Sequence, residues 1–283
     1  MLCVLWGAQL VTVKVAANGG LPAMLQAGVR SLFAAVLVAG WMSWRTGWSS
    51  VTALLRAGSG RVPGLLLSVS FAAEFLLIYP GLHLTTASRG VLFLYTAPFF
   101  TALAAHFFLP AERLRARQML GLLVAFSGVA IAFGDGLFGG GGNLLGDAMC
   151  AGAAVLWGVN TVLVKASPGL RRTSAAGIVF YQLAGSAPVI LIGAAIAGEL
   201  NGWPDATALA WACLFYQTVI VAFASYLVWF WLITVYPATQ LSGFTFLTPL
   251  FGILAGGLVL SEPLSWALFA GLGAIAVGMR LLR

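Results

Sequence analysis

Few side chains in this sequence can do chemistry, and the ones that can are set inside apolar runs. Glu74 lies between Phe71-Ala72-Ala73 and Phe75-Leu76-Leu77, and Arg30 stands about nine residues into another such run. A charge in an apolar stretch is costly to keep and is by default a functional hypothesis. For Glu74 three roles are open: a buried ion pair with Arg30 or Lys14, proton coupling, or contact with a substrate amine. Arg30 is either the partner of Glu74 or a group that grips a carboxylate. Lys14 and Lys165 end their runs at equivalent positions, where long cationic side chains snorkel. His83 is expected at the end of a run beside Arg89, as a solvated residue or a pH-sensitive gate. His106 is expected to be packed.

The aromatic residues form a second set. Trp6 and Trp157 are 151 residues apart, and so are Tyr95 and Phe246, each three residues before a proline, Pro98 or Pro249. Three residues is nearly one helical turn, so ring and proline share a face. Aromatic faces bury an apolar side chain and accept an ammonium group, a contact of roughly 0.5–2 kcal/mol. Gln9 and Asn160 follow the two tryptophans at equal spacing; each amide either binds a neighbouring helix or lines the same volume.

Enzymatic chemistry has no comparable support. There is no H-E-x-x-H, no G-x-S-x-G and no metal spacing of histidine, cysteine and carboxylate. The glycine run 139–142 lacks the Gly-Lys-Ser/Thr of a phosphate loop, and Cys3, Cys150 and Cys213 read as core residues. No catalytic residue, cofactor or metal is expected, and the chain is read as not an enzyme.

The elements that carry these residues follow from composition. The chain is 61% hydrophobic and 7% charged, against about 25% charged in a soluble domain. It reads as an all-α polytopic membrane protein embedded in the lipid bilayer. Ten transmembrane helices are expected at roughly 1–17, 22–44, 63–82, 86–109, 116–134, 146–166, 173–197, 207–233, 237–260 and 264–282. The chain starts almost inside the first run, which has neither a basic n-region nor a cleavage site. The net charge of +7 points to orientation and not to a nucleic-acid partner. Eleven of the fourteen basic residues fall on one side if both termini are cytoplasmic; the opposite loops carry Asp135, Asp147, Glu199 and Asp205.

The chain also repeats itself. Leu5-Trp6-Gly7 through Val13-Lys14 recurs as Leu156-Trp157-Gly158 through Val164-Lys165, with six identities in ten positions. Ala87 to Glu112 recurs as Ala238 to Glu262, and Gly121 and Gly128 recur as Gly271 and Gly278. Two five-helix repeats, 1–143 and 144–283, are therefore expected, and an odd number of crossings inverts the second. Inverted repeats with a site near the midplane are a transporter architecture. A proline in each central helix frees the carbonyl four residues earlier, Leu94 or Thr245, which belongs against protein or a wet cavity. The third, fourth, eighth and ninth spans are expected to wall that cavity, with the first and sixth nearby.

Two five-helix halves, each opening with L-W-G and closing on proline, glutamate and a glycine-rich helix, resemble the drug/metabolite transporter superfamily. More narrowly they resemble its paired EamA-domain branch, which includes YddG-type exporters of aromatic and other amino acids. The resemblance implies a secondary transporter that exports amino acids across the bacterial inner membrane by alternating access. It implies that Trp157, Tyr95 and the end of the third span, with Tyr79 and His83, face the cavity. Ala97 before Pro98, in place of a bulky aromatic, implies a broad range of amino acids. Carriage of phosphorylated metabolites or nucleotide-sugars, or export of lipophilic cationic drugs, is the alternative. The oligomeric state is not set by the sequence, and a monomer is compatible with it.

Overall fold

The computed structural model of the chain describes residues 1–56, 58–132, 143–202, 205–260 and 266–282. Asp135, the glycine run 139–142, Glu262 and Arg283 lie outside the described residues. Among the described residues the fold is helical, without strands. The helices are α1 (Leu2–Asn18), α2 (Ala23–Thr46), α3 (Trp48–Leu55), α4 (Arg61–Leu84), α5 (Ala87–Leu94), α6 (Ala97–Phe108) and α7 (Ala116–Ala132). After them come α8 (Leu144–Ala166), α9 (Ala175–Ile196), α10 (Ala208–Tyr216), α11 (Tyr226–Val235), α12 (Ala238–Gly243), α13 (Leu247–Leu260) and α14 (Trp266–Leu282).

Seven stretches among the described residues are long and apolar enough to cross a membrane. They are Ala23–Thr46, Arg61–Leu84, Arg89–Phe108, Leu144–Ala166, Ala175–Ile196, Ala208–Val235 and Ala238–Ala255. Leu2–Asn18, Ala116–Ala132 and Phe269–Leu282 are apolar but shorter. Hydrocarbon leaves a backbone group no partner but another backbone group, so such runs become helices. Apolar side chains are then exposed on the lipid-facing sides, as with Phe33, Val36, Leu65 and Ile192.

The chain forms two compact units that interleave along the sequence: Met1–Val11, Leu77–Val162 and Tyr236–Arg283 in the first, Thr12–Leu76 and Leu163–Val235 in the second. Helices α1, α4 and α8 each run from one unit into the other.

The core of the first unit is built on close backbone contact. Helices α7 and α14 pack along each other. A Cβ on Gly128 would lie 2.6 Å from the Gly271 carbonyl oxygen, and one on Gly121 would lie 2.8 Å from that of Gly278. These four glycines are the repeat-related pairs of the sequence, and small residues are what let helices meet this closely in a membrane. Leu122, Ala125, Val129, Ile275 and Leu282 fill the seam and are buried.

In the second unit α2 packs against α9 and against a π-helical stretch, Gln217–Ser225, that joins α10 to α11. A Cβ on Gly28 would meet Leu191 at 2.6 Å, which explains the small residue there. The first turn of α2 is capped from a distance: the Leu25 backbone N–H donates to Glu199 Oε2 at 2.7 Å. Free N–H groups at a helix start need such acceptors. Ser68 Oγ donates to the Tyr181 carbonyl at 2.5 Å, tying α4 to α9.

Candidate functional site

The two prolines sit just past interruptions of their helices. α5 stops at Leu94, and α6 starts at Ala97 with Pro98 in its first turn, where a missing N–H costs nothing. Between them Tyr95 takes φ −80° and ψ 13°. Thr96 Oγ1 donates to the Phe93 carbonyl at 2.5 Å, and Phe99 N–H donates to the Thr96 carbonyl at 2.9 Å. In the second half α12 ends at Gly243, a 3₁₀ turn covers Phe244–Phe246, and α13 carries Pro249. There Thr245 Oγ1 donates to the Ser242 carbonyl at 2.6 Å. In both places a threonine hydroxyl donates to the carbonyl three residues before it.

Three of the four paired aromatic residues meet at these breaks. The Tyr95 and Trp157 rings stand edge to face, 5.9 Å between centroids. Phe99 bridges to Phe246 at 6.3 Å and to Phe126 at 5.4 Å, both edge-on. Tyr95 and Phe246 are 3% and 0% exposed and belong to the packed core of the first unit, while Trp157 is half-buried against that core. Trp6 is buried outside this cluster. Asn160 is buried one turn after Trp157, and Thr161 Oγ1 donates to the Trp157 carbonyl at 3.0 Å. Gln9 and Tyr79 are half-buried, and His83 is exposed at the end of α4. His106 accepts the Leu114 backbone N–H on Nδ1 at 3.2 Å, a packed role.

The glycine that follows each tryptophan is a point of close helix approach. A Cβ on Gly158 would fall 2.7 Å from the Thr101 backbone nitrogen, and one on Gly7 would fall 2.7 Å from that of Gly252. The glycine of L-W-G is thus where α8 meets α6 and α1 meets α13. Sequence reading singled out the motif and missed this function. The signal was available: Thr101 and Gly252 stand three residues after the two prolines, at the repeat offset.

A second cluster in the first unit was not foreseen as a unit. Arg89 Nε donates to both Asp147 oxygens at 3.3 and 3.2 Å, and its Nη2 donates to Oδ2. Thr85 Oγ1 donates to Oδ1 at 2.6 Å. The Asp147 side chain is 3% exposed and that of Arg89 28%. Close approach at Gly81 and Gly146, where a Cβ on Gly146 would sit 2.8 Å from the Gly81 carbonyl oxygen, brings the start of α8 to the end of α4. Bidentate geometry makes this the strongest kind of ion pair.

Arg30 and Glu74 lie in the second unit, 0% and 7% exposed. The guanidinium carbon of Arg30 stands 5.1 Å from the Phe75 ring centroid. Its Nε and Nη2 have no hydrogen-bond partner in the protein. Phe75 stands edge-on to Phe71 at 4.9 Å, and Phe71 meets Tyr226 at 6.2 Å. Tyr226 is within electrostatic reach of both Arg30 and Glu74. One turn before Arg30, Gln26 Oε1 accepts from Gln217 Nε2 at 2.8 Å. Among the described residues no three histidine, cysteine or carboxylate side chains gather as a metal would need.

Known proteins resemble this chain over much of its length. The chain is 30% identical to the uncharacterized transporter YvbV of Bacillus subtilis (strain 168) over 176 residues, covering 60% of this chain and 54% of that one. It is 25% identical to a probable amino-acid metabolite efflux pump of Escherichia coli (strain K12) over 292 residues, 99% of this chain and 91% of the other. A solved crystal structure superposes with a TM-score of 0.81 at 19% identity, covering 99% of this chain and 93% of that one, which shows a shared fold. The model of the EamA-like transporter family matches residues 1–134 and again 144–283, and the chain therefore belongs to the EamA-like transporter family, within the drug/metabolite transporter superfamily.

Proposed function

We propose that this protein is a secondary transporter that exports amino acids, aromatic and other apolar ones among them, across a bacterial inner membrane. Ten spans in two inverted five-helix repeats, 1–143 and 144–283, with both termini cytoplasmic, give it two equivalent states for alternating access. The observation that carries this reading is the half-buried Trp157 ring set edge-on to Tyr95 at an interrupted helix. A ring with open surface beside loosened backbone suits a solute with an apolar side chain and an ammonium group. Tyr95 and Phe246, packed in the core behind it, fix where that ring stands; Trp6, Gln9, Asn160, Tyr79 and His83 complete the proposed set. The efflux pump of Escherichia coli, similar along nearly the whole chain, supports the amino-acid class.

The test is transport by purified variants in liposomes. Trp157→Ala removes the ring that has open surface, and Tyr95→Phe keeps the packing while removing the hydroxyl. Trp157→Ala is expected to cut amino-acid transport at least tenfold while the protein purifies normally. Parent-level transport by that variant would place the aromatic site elsewhere.

A further inference from the structure

Arg30 is the largest completely buried side chain among the described residues, and two of its three guanidinium nitrogens have no hydrogen-bond partner there. The two are Nε and Nη2, which share one edge of the planar group. That edge carries parallel N–H bonds at the spacing of the two oxygens of a carboxylate. The same molecule shows the edge in use, because Arg89 turns its Nε and Nη2 onto both oxygens of Asp147. Arg30 holds the equivalent edge buried and without a hydrogen-bond partner in the protein. Buried donors in folded chains are almost always satisfied, so a pair left over on one charged group calls for an explanation.

The surroundings are built to hold that charge without using it up. Phe75 supports the guanidinium from its face at 5.1 Å and leaves the in-plane N–H bonds unengaged. Phe71 and Tyr226 extend the aromatic wall. Opposite α2 runs the π-helical stretch Gln217–Ser225, pinned to Gln26 one turn before Arg30 and leading directly into Tyr226. π-Helical turns are rare and frequently mark functional sites.

We propose that the Nε/Nη2 edge of Arg30 receives the carboxylate of the transported solute. This rests on the reading of that solute as an amino acid, and concerns a contact made within the second unit alone. Charge balance favours a zwitterion over the phosphorylated solutes of related carriers. Arg30 carries one positive charge, the single carboxylate of a zwitterion matches it, and a phosphate monoester brings up to two negative charges into a buried setting.

The experiment compares phenylalanine, phenylalaninamide and phenethylamine as competitors of labelled phenylalanine in liposomes holding the purified protein, and as thermal stabilisers of the same protein in detergent. The acid is expected to compete at least about tenfold better than the amide and the amine, the loss anticipated for a charge-assisted bidentate contact. Arg30→Lys keeps the charge but not the fork, and is expected to erase that preference. An amide that competes as well as the acid overturns the proposal, and does so on the parent protein even where an Arg30 variant does not fold. Should no amino acid bind or move, the amino-acid reading fails and benzoate and lactate decide the rest. Stabilisation of the parent but not of Arg30→Lys by these acids upholds the Arg30 site, and no stabilisation overturns it.

Discussion

Replacing Gly271 with alanine tests how tightly α7 and α14 are locked. The new Cβ would stand 2.5 Å from the Gly128 carbonyl oxygen and 3.2 Å from the Ala132 Cβ. Restoring ordinary contact at 3.4 Å requires the two helices to part by about 0.9 Å at that crossing. The first contact is with backbone, so no rotamer change relieves it. Overpacking of this kind costs about 1–3 kcal/mol, against a gain of about 1 kcal/mol from replacing glycine by alanine inside a helix. The clash therefore outweighs the gain, for a net loss of up to about 2 kcal/mol. Apparent melting temperature then falls by about 2–4 °C for each kcal/mol, the scale for chains near this length. Gly273 is the control: it lies in the same helix, and a Cβ there would meet nothing within 4 Å. Gly273→Ala should leave the melting temperature unchanged or raise it slightly. Thermal unfolding of both variants in one detergent makes the comparison, and equal stability of Gly271→Ala and Gly273→Ala would refute the glycine seam.

Further perturbations address the polar contacts. Glu199→Ala removes the acceptor of the Leu25 N–H and should cost about 0.5–2 kcal/mol, the range for a lost helix cap, read by thermal unfolding. Glu112→Ala should act similarly at the start of α12, where Glu112 Oε2 accepts the Ala238 N–H at 2.6 Å. Asp147→Asn weakens the contact with Arg89 and should lower the melting temperature, and Arg89→Lys, which lacks the fork, should lower it too; no change in either would show the pair to be incidental. Glu74→Gln alters a buried carboxyl group in the unit that buries Arg30 and is expected to lower the melting temperature. Unchanged stability with lost pH dependence of transport would make Glu74 a coupling residue instead.

What could be read from the sequence was what local chemistry dictates. A proline lacks one N–H wherever it stands, so the breaks at Tyr95–Thr96 and Phe244–Phe246 were legible from Pro98 and Pro249 alone. Gly121 and Gly128, recurring as Gly271 and Gly278, were legible as part of the repeat, although not as four residues that pack on one another. Contacts distant in sequence left no such trace. Arg89 and Asp147 are 58 residues apart and read separately, Arg89 as a neighbour of His83 and Asp147 as a loop acid. The π-helical stretch Gln217–Ser225 has the composition of any apolar helix, so nothing in its residues marks it. The packing of Phe246 against Phe99 and Phe126, 147 and 120 residues away, left no trace in the sequence either.

Amino-acid export is the central claim, and solute counterflow tests it most directly. Liposomes containing the purified protein are loaded with one unlabelled solute and diluted into trace label of the same solute. The panel holds apolar and aromatic amino acids, phosphate esters and cationic dyes. Transient accumulation of labelled amino acid above protein-free liposomes, absent for the phosphate esters and dyes, is the predicted result. Counterflow of a phosphate ester or a dye, with none for any amino acid, would contradict it.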